Sequence, residues 1–161
     1  MSRYFLIAVI SVVLIVIQTT VVSLIALEGI TPDLLAIWVV YLALRKGQMK
    51  GTIIGFAVGL VFDLATGSFI GLSALTKTLC GFTAGYFYNE NKTKLILGSY
   101  RFLLIMMVSS FVHNVVYFIL FTRGTEIGVI AAIFQYGVTT TLYTSALALI
   151  PLFVSSRRSM V

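Results

Sequence analysis

Four polar residues stand out in an otherwise apolar chain because their types could do chemistry: Asp63, Lys77, His113 and Asn114. A carboxylate, an amine and an imidazole are the parts of a proton relay, or of a polar pocket that grips a small molecule. An ionised carboxylate in hydrocarbon must be paired, hydrogen-bonded or wet, because an isolated charge there is expensive and either finds a partner or neutralises. Lys77 is the available partner for Asp63, across the turn at Gly67–Gly71, unless its stem snorkels to the interface instead. A structural ion pair, or a cap holding that turn, is preferred over a proton or substrate site, since no second acid lies nearby. His113 and Asn114 share a helical face with Ser110 and Tyr117. Gln135, Thr139 and Tyr143 form a second stripe, and Ser11 and Gln18 stand seven apart in a third. Such stripes usually supply hydrogen bonds between helices. A ligand contact or proton relay at His113 and Asn114 is the sharper alternative.

Other chemistries lack their parts. One histidine and one cysteine, Cys80, supply neither a disulfide nor a metal's ligand set. No nucleophile–base constellation and no phosphate loop can be assembled, so catalysis is not expected and no cofactor or metal is implied.

These residues sit in a chain of 161 residues that is 60% hydrophobic and 10% charged. Five acids and eleven bases cannot clothe a soluble domain of this length. The pattern predicts an all-α integral membrane protein: a six-helix transmembrane bundle in one polytopic domain, with spans at roughly 4–27, 31–44, 51–66, 69–88, 95–121 and 127–154. Pro32 is expected to begin the second span, where its missing amide has no helical partner. Arg3, Arg45, Lys46, Lys50, Lys92, Lys94, Arg157 and Arg158 fall on one side of this arrangement, and Arg123 with Glu28, Asp33 and Glu126 on the other. The positive-inside rule then puts both termini in the cytoplasm. Topology and contact with anionic membrane lipids account for the net charge of +6 without nucleic acid.

Gly51, Gly55, Gly59, Asp63, Gly67 and Gly71 recur every four residues. Residues four apart drift by only about 40° around a helix, so the first three glycines make a groove along the third span. Small-xxx-small spacing lets a second backbone approach closely, which makes this face a helix-packing or partner surface. Asp63 continues the face, and with Gly67 and Gly71 it shapes the turn that follows.

The segments "TPDLLAIWVVYLALRKG" (31–47) and "GFAVGLVFDLATGSFIGLSALTKTLCGFTAGYF" (55–87) resemble the bacterial rod shape-determining MreD family. The first carries the Pro32-Asp33-Leu34-Leu35 motif. The second maps the family's glycine/aspartate block onto Gly55, Phe56, Gly59, Leu60, Asp63, Gly67, Gly71, Ala74 and Leu75. The resemblance implies a non-enzymatic inner-membrane subunit of the cell-elongation complex. MreC is the implied direct partner, with the RodA glycosyltransferase, a penicillin-binding transpeptidase and MreB filaments in the same assembly. It also implies a fold similar to the substrate-binding subunits of energy-coupling-factor transporters. A vitamin-capturing transporter subunit is the main rival; it needs an outward polar pocket, lined by Asp63, Lys77, His113 and Asn114. An ion channel ranks last, because bulky aliphatics break the polar stripes. A homo-oligomer is compatible with all of these.

Overall fold

In the computed structural model, residues 2–24, 30–122 and 128–153 are described, and all their long elements are helices. They are α1 (Ser2–Leu24), α2 (Leu34–Lys46), α3 (Gln48–Thr66), α4 (Leu72–Tyr86), α5 (Thr93–Leu97), α6 (Tyr100–Phe121), α7 (Val129–Ala132) and α8 (Val138–Leu147). A π-helical turn, Ile133–Gly137, joins α7 to α8 within one helical stretch, Val129–Phe153. Among the described residues, three helices are long and apolar enough to cross a membrane: Gln48–Thr66, Tyr100–Phe121 and Val129–Phe153; Tyr4–Thr20 is a shorter apolar helix. Of the charges used to orient the chain, Glu28, Arg123, Glu126, Arg157 and Arg158 lie outside the described residues, as does the side chain of Arg3.

The chain's most buried helix is short. α2 has 13 residues, and Leu35, Ala36, Val39, Val40 and Ala43 have no exposed surface. A helix apolar on all sides belongs in an interior, and α2 is enclosed by α1, α3, α4 and α6. It begins two residues after Pro32 because Asp33 is its N-cap, the Asp33 carboxylate accepting from the Ala36 amide at 2.9 Å. Gly47 ends α2 and starts α3, reversing the chain with a single residue at φ 93°. The expected span 95–121 is interrupted: α5 and α6 are separate helices, divided at Gly98–Ser99.

α3 and α4 form the tightest pair, and the glycines explain why. A Cβ on Gly51 would overlap Ala43 of α2, and one on Gly55 would overlap the Lys77 carbonyl. On Gly59 it would meet the Ser73 carbonyl and the Ala74 backbone. α4 answers with glycines of its own: Gly81 lies against the Gly51 carbonyl and Gly85 against Gln48. The contacts run in antiparallel register from Gly59–Ala74 at one end to Gln48–Gly85 at the other. Backbone-to-backbone approach of this kind is how small residues associate helices when lipid removes the hydrophobic drive. Gly67 and Gly71 do something different. Their Cβ positions face open space, and they are glycines because the turn holds them at φ +65° and +100°.

Candidate functional site

At the end of the bundle remote from Arg45, Lys46, Lys50, Lys92 and Lys94, the α3–α4 turn is organised by Asp63. Its Oδ2 accepts from the amides of Gly71 (2.9 Å), Ser73 (3.1 Å) and Ala74 (3.2 Å). Its Oδ1 accepts from the Ser73 amide at 3.2 Å and the Ser68 hydroxyl at 3.5 Å. The first turn of a helix leaves amides without intrahelical acceptors, and here a residue of the preceding helix supplies the acceptor for α4. The carboxylate also faces the positive end of the α4 dipole. Asp63 has no exposed surface and is satisfied without a cation.

Lys77 therefore does not pair with Asp63, and the ion pair expected between them is replaced by another. Lys77 Nζ donates to Asp33 Oδ2 at 2.9 Å, with side-chain exposures of 4% and 15%. His113 Nε2 lies 3.3 Å from the same oxygen. Asp33 is itself held on several sides. Gln18 donates to the Pro32 carbonyl and accepts from the Leu34 amide, both at 2.9 Å, and the Asp33 amide donates to Thr144 Oγ1 at 3.0 Å. The carboxylate thus joins α2, α4 and α6, and the backbone around it is tied to α1 by Gln18 and to α8 by Thr144. Lone buried charges are costly, and this one is matched by a cation and by a helix N-terminus.

The pair lies in the wall of a cavity of about 420 Å³. Phe62, Tyr117, Phe118 and Tyr136 supply aromatic walls, and Thr66, Ser68 and Thr31 stand at the end remote from the basic loops. His113, Tyr117 and Phe121 are stacked along α6 at successive turns, with centroids 6.3 and 5.6 Å apart. Lys77 Nζ sits 5.1 Å from the centre of the Phe62 ring. Asn114 donates to Thr141 Oγ1 at 2.9 Å and to the Gly137 carbonyl at 3.3 Å, fixing α6 against the π turn.

Of the four residues singled out by type, Lys77, His113 and Asn114 share this cavity and Asp63 does not. Asp33, read from sequence as a motif residue at the outer start of the second span, takes the place expected of Asp63 as the partner of Lys77. The Gln135–Thr139–Tyr143 stripe does not face the interior as a unit: Gln135 and Thr139 are exposed, and Tyr136, Thr140, Thr141 and Thr144 turn inward instead. The π turn adds a residue to one helical turn and so rotates every side chain beyond it, which an ideal 3.6-residue period does not anticipate. Sequence reasoning also passed over Gly81 and Gly85, although their four-residue spacing was there to read.

Fold and site together define a helical membrane protein whose interior charges are enclosed, one capping a helix and one in an ion pair. The chain matches the family described as rod shape-determining protein MreD over residues 1–156, and it belongs to that family. Its role is accordingly in the determination of rod shape, and the rival reading as a transporter subunit is not favoured. No curated protein matches the chain, and no solved structure does.

Proposed function

We propose that the chain is a non-enzymatic, multi-pass subunit of the cell-elongation complex in the bacterial inner membrane, binding MreC and helping to organise peptidoglycan synthesis. RodA, a penicillin-binding transpeptidase and MreB filaments belong to the same assembly in this reading. The observation that carries it is the family match across residues 1–156. The interior chemistry agrees with a scaffold. The carboxylate of Asp63 is committed to backbone amides, and that of Asp33 to a helix cap and an ion pair. The proposal includes six spans: α1, α2, α3, α4, α6 and the stretch Val129–Phe153, in a bundle similar to the energy-coupling-factor subunits. Both termini are cytoplasmic in it, with Arg45, Lys46, Lys50, Lys92 and Lys94 gathered on the cytoplasmic side. α2 and α4, at 13 and 15 residues, reach only about 20 Å at the helical rise, so their ends lie inside the hydrocarbon boundary and the local bilayer thins around them.

The test is depletion. With the gene under inducible control in its rod-shaped host, withdrawal of the chain rounds the cells and re-expression restores rods. Rods that persist after the protein has disappeared contradict the proposal.

A further inference from the structure

The donor and acceptor inventory of the cavity is incomplete in a specific way. Both oxygens of Asp33 have partners: Oδ1 takes the Ala36 amide, and Oδ2 takes Lys77 and faces His113. Lys77 is not. An ammonium has three donors, and this one, 3% exposed, meets a single acceptor among the described residues, Asp33 Oδ2. Asn114 spends its amide hydrogens on Gly137 and Thr141, while its Oδ1 accepts no hydrogen bond from the described residues. Two spare donors on a buried cation and a spare amide oxygen therefore line a space of about 420 Å³, within the range of ~300–1,000 Å³ typical of small-molecule sites. The rest of the wall combines hydroxyls, among them Thr31, Thr66, Ser68 and Thr140, with an aromatic face on which the Tyr117 ring is stacked between His113 and Phe121.

Charge decides what suits this space. Lys77 is already balanced by Asp33 at 2.9 Å, so an incoming anion would add a second, unbalanced negative charge close to that carboxylate in a poorly solvated site. A neutral ligand with an acceptor oxygen meets Lys77 without that repulsion, and a hydrogen it donates completes Asn114. We propose that the cavity binds an uncharged polar molecule, an amide or hydroxyl carried on a ring or apolar body, with its oxygen on Lys77 and its ring against the Tyr117–Phe121 wall. The same chemistry is offered by a soluble molecule or by a neutral lipid headgroup. The site goes beyond the scaffold role and does not depend on it.

The test uses the full chain in phosphatidylcholine nanodiscs and scintillation-proximity binding of three matched probes: tritiated 2-naphthamide, 2-naphthoate and naphthalene. The amide is expected to bind at least tenfold more tightly than the acid or the hydrocarbon. Thr140→Trp fills the cavity from α8 without touching the ion pair and is expected to abolish binding. The paired change Asp33→Asn with Lys77→Met removes both charges together and is expected to weaken it at least tenfold. Discs doped with monoglucosyldiacylglycerol separate the sources: displacement of the amide by the lipid assigns a headgroup ligand, and no displacement assigns a soluble one. The proposal is overturned if naphthoate binds as well as the amide, if naphthamide fails to bind up to its solubility, or if a folded Thr140→Trp chain binds it unchanged. The comparison of the three probes on the unaltered chain keeps the test decisive should either variant fail to fold.

Discussion

Replacing Asp63 by leucine removes an acceptor on which three amides converge, and the structure gives the size of the loss. The Ser73 and Ala74 amides are buried and the Gly71 amide is half-buried, and all three point at Oδ2. A buried donor left without a partner costs about 1–3 kcal/mol. Two such donors and one partly rescued by solvent put Asp63→Leu at about 4 kcal/mol of destabilisation. Asp63→Asn is the informative control. Its carbonyl oxygen can take the position of Oδ2 and keep the amide contacts, while its NH₂ faces the Ser68 hydroxyl, which can accept. The charge assistance and the second branch of the Ser73 amide's bond, to Oδ1 at 3.2 Å, are lost while its bond to the Oδ2 position stays, so the asparagine variant should cost about 1 kcal/mol, in the range of a weakened N-cap. The assay is reversible unfolding of the purified chain in mixed micelles by SDS titration, followed by far-ultraviolet circular dichroism. A loss for asparagine as large as that for leucine would locate the effect in the charge and refute the cap. So would a leucine variant as stable as the native chain.

Three further outcomes follow from the packing. Lys77→Met alone leaves Asp33 buried without its cation and should cost about 3–5 kcal/mol; adding Asp33→Asn should recover at least ~1 kcal/mol, whereas adding Asp63→Asn should recover none, and a double-mutant cycle by the same titration reads the difference. Gly59→Ala forces a Cβ into the Ser73 carbonyl and the Ala74 backbone and should destabilise by about 1–3 kcal/mol, while Gly128→Ala, whose Cβ meets open space, should change thermal stability little. Cys80 has no exposed surface, so a membrane-permeant maleimide should leave it unlabelled in the native chain and modify it fully once the chain is unfolded in SDS; labelling of the native chain would contradict the packing of α4 against α2.

The all-helical class was legible because apolar runs are local features, whereas the break between α5 and α6 at Gly98–Ser99 falls inside such a run. The α3 groove was equally legible, since Gly51, Gly55 and Gly59 announce it by spacing alone. Its complement on α4 could have been read the same way from Gly81 and Gly85, but matching two glycine rows requires knowing that the helices are antiparallel and in what register. The partner of Lys77 could not be read. Asp63 and Asp33 are both within reach once the α2–α3 and α3–α4 turns have folded the chain back on itself. The choice between them was made by the α4 amides, local donors that satisfy Asp63 and leave Lys77 for an acid 44 residues away. The inward face of α8 was missed for a related reason: the π turn at Ile133–Gly137 shifts the phase of everything after it, and no residue in Ile-Phe-Gln-Tyr-Gly announces that shift.

The central claim, that the chain is a scaffold subunit acting with MreC in wall elongation, is tested most directly by what leaves the membrane with it. The measurement is affinity purification of the tagged chain from native membranes in mild detergent, with quantitative mass spectrometry of the co-purifying proteins. The account predicts enrichment of MreC above all other membrane proteins, with RodA and a penicillin-binding transpeptidase recovered at lower yield. Recovery of transporter ATPase subunits in their place, with MreC no more abundant than in an untagged control, would contradict it.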